Sequence, residues 1–149
     1  MMPAAAVVAC ALALLGRSQT VAPVHFVATP PRHASPNVEA FVTAGEHTIF
    51  LVTSSAAFRD AQADPWTALH HEGCRKIAAI LVHEEWHLRH GQDERGAYTV
   101  QLTTLQLLGA RPETINAVRA AMGTVLSKQA DDADRVAVAS YRAGGAHSP

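Results

Sequence analysis

The five residues 83–87 read His-Glu-Glu-Trp-His, and this spacing constrains the fold more than any other feature of the chain. Two histidines four positions apart project from the same side of an α-helix, where they lie about 6 Å apart. The surrounding residues 72–90 contain no proline, and their one glycine is near the start, at position 73. The sequence therefore predicts a long helix over residues 72–90, which Gly91 ends.

Apolar residues at helical spacing predict the side of this helix that faces a core. They are Cys74, Ile77, Ile80, Leu81 and Leu88. Two further helices are expected, over about residues 93–108 and 113–128. Two short β-rich runs, 38–43 and 48–54, predict a hairpin, and residues 56–63 predict a short helix that ends at Asp64-Pro65. The predicted class is α+β: a short twisted sheet or hairpin packed on the long helix, followed by two further helices.

The N-terminal residues 3–16 carry no charge and are almost entirely alanine, valine and leucine. They are shorter than the roughly 20 apolar residues of a membrane span. This pattern predicts a signal peptide over residues 1–22, no stable membrane span and an exported protein. A buried N-terminal helix is the alternative. Removal of residues 1–22 would leave Cys74 as the only cysteine, and we expect it to be a buried thiol.

Changes in composition divide the rest of the chain. Residues 23–37 contain four prolines and are expected to form an extended linker or a loosely packed strand. The folded domain is predicted over 38–128, and the small, polar residues 129–149 are expected to be a mobile tail. The 149 residues include 12 Lys+Arg and 13 Asp+Glu. Without a basic excess, nucleic-acid binding by attraction to phosphates is not expected.

Nine histidines in so short a chain favour metal binding, because imidazole is a common ligand of transition metals. His83 and His87 can converge on one zinc ion with bonds of about 2.0–2.1 Å. Glu84, rotated about 100° from His83, would lie beside the ion as a general base. A catalytic zinc site takes a third protein ligand, and the neighbouring candidates are Glu94, Asp93 and His90.

Glu94 is the favoured third ligand, because the break at Gly91 can turn the chain back toward the metal. For both Glu94 and Asp93 the alternative role is ordinary helix capping, which favours carboxylates in a first turn. His90 is about 10.5 Å from His83 along the helix axis, which is far for two ligands of one ion. Both His70 and His71 precede the long helix, where they are expected to be solvated or to form a second, weak metal site.

The segment 81–102, LVHEEWHLRHGQDERGAYTVQL, resembles the active-site region of zinc metallopeptidases of the zincin clan, above all the gluzincins. In gluzincins the third ligand is a glutamate on the helix after H-E-x-x-H. The matching second motif here comprises Glu94, Ala97, Tyr98 and Gln101. The resemblance implies a Zn²⁺ cofactor, a peptide or protein substrate, and a short sheet whose edge strand lines the cleft. Residues 48–54 are the candidate for that strand.

The expected activity is therefore zinc-dependent peptide hydrolysis, with Glu84 taking a proton from water and delivering it to the leaving amine. Tyr98 either donates a hydrogen bond to the oxyanion or packs in the core. Glu85 is expected to face solvent and Trp86 to pack. One alternative is a non-catalytic zinc-binding protein, and another is an interaction protein in which the motif is coincidental. The sequence leaves the oligomeric state open.

Overall fold

The computed structural model describes residues 1–43, 45–63 and 71–144, with side chains as far as residue 140. Within these residues the chain forms five helices and three strands, which confirms the α+β class. In chain order they are α1 (Ala4–Leu14), β1 (Val24–Val27), β2 (Ala40–Val42), β3 (Ile49–Val52), α2 (Ala56–Ala63), α3 (Glu72–His90), α4 (Glu94–Leu107) and α5 (Pro112–Gly144).

The sheet has the order β1-β3-β2. Strands β2 and β3 pair antiparallel, with Phe41 opposite Phe50, so the predicted hairpin is confirmed. On its other side β3 pairs parallel with β1, with Val24 opposite Ile49. The prediction that residues 48–54 form an edge strand is therefore wrong, because β3 is the central strand. Its second neighbour, β1, comes from the proline-containing segment 23–37, whose prolines 30, 31 and 36 all follow the strand.

The predicted helices are largely confirmed. Helix α3 has the expected bounds and ends at Gly91, whose φ of 67° is the left-handed conformation that glycine adopts readily. Helix α2 also has the expected bounds, whereas the expected turn at Asp64-Pro65 lies outside the described residues. Helix α5 is longer than predicted and includes much of the expected tail, because residues 124–143 contain neither proline nor glycine.

The core lies where α1, α2, α3 and the sheet meet. Its fully buried members include Val7 and Ala11 of α1, Leu51 of β3, Phe58 of α2 and Leu81 of α3. The segment expected to be a signal peptide thus supplies a core helix, and the packed unit begins well before residue 38. None of the helices in the described part of the chain has the length and apolarity needed to cross a membrane.

Two long-range links hold α1 and the turn after it against α3. Cys10 and Cys74 form a disulfide, so the expectation that Cys74 is a free thiol is wrong. Arg17 donates from one guanidinium nitrogen to both carboxylate oxygens of Glu85, at 2.7 and 2.9 Å. Glu85 is only 4% exposed, so the expectation that it faces solvent is also wrong. A buried carboxylate needs such a partner, because burial without one is costly.

Candidate metal centre

Three side chains from α3 and α4 bring their ligand atoms together at one point. The Nε2 atoms of His83 and His87 are 3.2 Å apart. Glu94 places Oε2 at 3.6 Å from Nε2 of His83, and Oε1 at 3.4 Å from Nε2 of His87. A tetrahedral zinc ion with bonds of about 2.0–2.1 Å holds its ligand atoms about 3.3–3.4 Å apart. The separations between the side chains are therefore close to those between the ligand atoms of such an ion.

Both histidines are oriented by hydrogen bonds on the opposite ring nitrogen. Nδ1 of His83 lies 2.7 Å from the amide oxygen of Gln101, and Nδ1 of His87 lies 2.7 Å from the carbonyl oxygen of Gly91. Since both partners are acceptors, each Nδ1 carries the proton and donates it. Each Nε2 is then the ring nitrogen that faces the common point, where it can bind an ion once any proton on it has left, as ligating histidines do.

The turn between α3 and α4 brings Glu94 back to the histidines. Asp93 caps α4 by accepting a hydrogen bond from the backbone N–H of Gly96 at 3.0 Å. The same carboxylate accepts one from Nε1 of Trp86 at 3.1 Å. Gly96 is needed here, because a Cβ atom at this position would overlap the Trp86 ring and the Asp93 carboxylate. Trp86 thus ties α3 to the first turn of α4, in agreement with its expected packing role.

These contacts separate the three candidates for the third ligand. Glu94 joins the two histidines, whereas Asp93 is exposed and is used as the cap of α4. His90 is also exposed, and its ring stacks on Trp86 at a centroid distance of 4.0 Å. Of the pair expected at the start of the long helix, His71 belongs to a different cluster with Cys10 and Cys74, and His70 lies outside the described residues.

The electrostatics of the cluster favour a cation. Burial lowers the pKa of His87, but hydrogen bonds to Glu94 and to the Gly91 carbonyl outweigh burial and raise this pKa to about 9. Hydrogen bonds from His83 and His87 lower the pKa of Glu94 to about 2. Around neutral pH the pair therefore holds a proton on His87 against the Glu94 carboxylate. A divalent cation binding between them would replace this proton.

Glu84 lies beside the cluster as predicted, on the same turn of α3. It is 6% exposed, and burial raises its pKa, against the opposing effect of His83 and His87. In its ionised form a carboxylate with a raised pKa is a stronger base than a solvated one, because it has a higher affinity for the proton. The position and environment of Glu84 therefore suit proton transfer.

Tyr98 packs edge-on against His83, with ring centroids 4.7 Å apart. Burial and the nearby carboxylates of Glu94, Glu39 and Glu84 raise the pKa of Tyr98 to about 12, so its hydroxyl keeps its proton at neutral pH. The residue is half-buried. Tyr98 is thus both a packing partner of a ligand and a protonated hydroxyl next to the cluster.

Sequence reasoning missed Glu39, which precedes β2 and interacts electrostatically with His83. Burial raises the pKa of Glu39. It also lines a cavity of about 260 Å³, whose wall includes Gln101, Ile80 and Leu105. Gln101 therefore contacts a histidine of the candidate metal centre and also lines this cavity. No local motif marks Glu39, because it comes near His83 only when the sheet packs on α3.

No protein-family model, curated protein or solved structure gives a significant match to this chain.

Proposed function

We propose that the protein is a zinc-dependent peptidase in which His83, His87 and Glu94 bind the ion and Glu84 is the general base. One observation carries the proposal: the two histidine Nε2 atoms lie 3.2 Å apart, each lies 3.4–3.6 Å from a carboxylate oxygen of Glu94, and both histidines are oriented through Nδ1. A surface helix whose histidines and glutamates are merely solvated does not need these orienting contacts. A glutamate at position 84, buried beside these three side chains, adds the group that hydrolysis requires.

Zinc would supply a Lewis acid for the scissile carbonyl and would lower the pKa of the attacking water. Glu84 accepts a proton from that water, which its raised pKa favours, and transfers the proton to the leaving amine. Gln101 and the Gly91 carbonyl keep the histidine rings in place during these transfers. The protonated hydroxyl of Tyr98 is available to donate a hydrogen bond to the developing oxyanion.

Strand β2 is the part of the sheet best placed for an extended substrate. Within the described sheet it pairs on one side only, with β3, and its backbone is preceded directly by Glu39. An extended peptide can add to such an edge through main-chain hydrogen bonds. The cavity lined by Glu39, Ile80 and Leu105 would then accept one substrate side chain. We therefore infer a peptide or unfolded protein substrate.

The decisive experiment compares full-length wild type with Glu84→Gln, after loading with zinc. We expect about one zinc per chain in both proteins, measured by elemental analysis. Cleavage of an unstructured peptide mixture, followed by mass spectrometry, should fall at least about 100-fold in Glu84→Gln. Glu46→Gln is the matched control, because Glu46 is exposed, and it should keep both zinc and activity.

Two results would contradict the proposal in different ways. A wild-type protein that binds zinc but cleaves no peptide would favour the non-catalytic zinc-binding alternative. A wild-type protein that binds no zinc even with excess metal would overturn both the peptidase proposal and the zinc-binding alternative, and the motif would be coincidental. Activity retained in Glu84→Gln would remove Glu84 from the mechanism.

A further inference from the structure

A second cluster of metal-binding side chains lies at the opposite end of α3, about 13 Å along the axis from His83. The sulfur atoms of Cys10 and Cys74 and a ring nitrogen of His71 all lie within 4.8 Å of one another. All three residues are buried, with exposures of 8%, 0% and 6% respectively. The cluster thus brings two sulfur atoms and one imidazole nitrogen together in a buried place.

The cluster forms where three helices meet. His71 is the residue before α3, Cys74 lies in the first turn of α3, and Cys10 reaches it from α1. Helix α2 approaches this turn very closely, because a Cβ atom at Gly73 would overlap the backbone of Ala61. Cys10 and Cys74 are therefore held in packed helices, and His71 directly precedes one of them.

We propose that Cys10, His71 and Cys74 form a redox-controlled site for a thiophilic metal ion of the zinc class, which opens when the disulfide is reduced. A dithiol donor of the thioredoxin class supplies two electrons and two protons. The Cys10–Cys74 bond breaks to give two thiols, and the donor becomes a disulfide. Binding of the ion then releases both thiol protons to water, and a ring nitrogen of His71 supplies the third lone pair.

The geometry suits such an ion. Zinc binds thiolate sulfur at about 2.3 Å and imidazole nitrogen at about 2.0–2.1 Å, so its ligand atoms lie about 3.5–3.8 Å apart. The Cα atoms of Cys10 and Cys74 are 5.9 Å apart, which allows either a disulfide or two thiolates on one ion. The first turn of α3 also favours a negative charge on Cys74, because the helix N-terminus carries partial positive charge.

The test titrates the full-length chain with Co²⁺, an optical probe for zinc sites, before and after reduction with a phosphine. The reduced wild type should bind one more ion per chain than the oxidised protein and should gain thiolate-to-cobalt absorption in the near ultraviolet. The oxidised protein should show no such absorption. This sulfur signal separates the site from His83, His87 and Glu94, so the result does not depend on the proposed peptidase function.

Variants assign the ligands. Cys10→Ser and Cys74→Ser should each lose the sulfur-dependent ion, and His71→Ala should weaken its binding at least about 10-fold while the thiols remain. His90→Ala is the control, because His90 is an exposed histidine at the other end of α3. The proposal is overturned if the reduced wild type gains no ion or if His71→Ala binds as wild type does. It is equally overturned if the reduced chain unfolds and zinc does not restore its circular dichroism spectrum.

Discussion

The amide oxygen of Gln101 lies 2.7 Å from Nδ1 of His83, so a residue on α4 determines which nitrogen of a motif histidine faces the metal centre. Gln101 is buried, and its amide group is oriented in the interface between α3 and α4. Groups that orient ligating histidines in this way commonly contribute about 10- to 100-fold to metal affinity.

Replacement of Gln101 by alanine should therefore weaken zinc binding about 10- to 100-fold. Competition with a chromophoric chelator measures this affinity. Gln106→Ala on the same helix is the matched control, since Gln106 is exposed and should be replaceable without effect. Equal affinities for the two variants would show that the contact between Gln101 and His83 does not orient the ligand.

Loss of the negative charge at Glu94 and at its neighbour Asp93 should affect zinc binding differently. Glu94→Gln should lose most of the zinc, because one of three ligand groups is weakened. Asp93→Asn should keep the zinc, and its thermal midpoint should fall slightly through weakening of the α4 cap and the Trp86 contact. Elemental analysis and thermal unfolding of both variants test this. Loss of zinc in Asp93→Asn alone would make Asp93 the third ligand.

The stability of the metal-free protein should depend on pH through His87 and Glu94. The pKa of His87 rises from 6.5 to about 9 on folding, so its contribution is complete below pH 6.5 and is lost as the pH rises through 9. The pKa of Glu94 falls from 4.5 to about 2, so its contribution is present above pH 4.5 and is lost as the pH falls through 2.

Their combined contribution should thus be greatest between about pH 4.5 and 6.5. Denaturant unfolding of the chelator-treated protein at a series of pH values measures this contribution. The free energy of unfolding is compared with that of the Glu94→Gln variant. The difference in unfolding free energy between the two proteins should shrink above pH 9. A difference that grows above pH 9 would rule out the proton shared between His87 and Glu94.

Helix α1 should contribute measurably to stability, because it is packed in the core. Val7→Ala removes two buried methyl groups and should lower the free energy of unfolding by about 2 kcal/mol. Val136→Ala is the control, since Val136 of α5 is 67% exposed and its replacement should have little effect. Equal stability of the two variants, or a deletion of residues 1–22 as stable as the full chain, would contradict this role of α1.

The disulfide should stabilise the same region. It closes a loop of 64 residues between Cys10 and Cys74, for which the chain-entropy model gives about 4 kcal/mol. The double variant Cys10→Ser/Cys74→Ser should lose stability of this order in urea unfolding under oxidising conditions. Under reducing, metal-free conditions the wild type should approach the double variant. An unchanged midpoint of the double variant would show that the disulfide does not form in solution.

The elements around the motif were predictable because their signals are local. Helix α3 follows from the histidine spacing and the apolar residues Ile77 and Leu81, and its end follows from Gly91. The hairpin of β2 and β3 follows from two β-rich runs around a glycine. The proximity of the three proposed ligands was predictable for the same reason. His83 and His87 are one helical turn apart, and Glu94 follows the single helix break at Gly91.

The remaining features depend on partners that are distant in the sequence. Burial of Glu85 requires Arg17, 68 residues away, and the role of Cys74 requires Cys10. An uncharged run of alanine, valine and leucine is compatible with a signal peptide and with a core helix, so the composition of residues 3–16 did not distinguish them. Strand β1 was predicted only as one of two alternatives for residues 23–37, because prolines follow it, and Glu39 reaches the site only through tertiary packing.

The two links to α3 also have a mechanical consequence. Cys74 and Glu85 are eleven residues apart on one helix, so the disulfide and the Arg17 ion pair hold α3 at points about 16 Å apart. A helix fastened at two such points resists bending and sliding along its length. The distances between the ligand atoms on α3 therefore depend on how firmly α3 is held at these two points. Changes in α1 should alter metal affinity, although α1 supplies none of the three ligands.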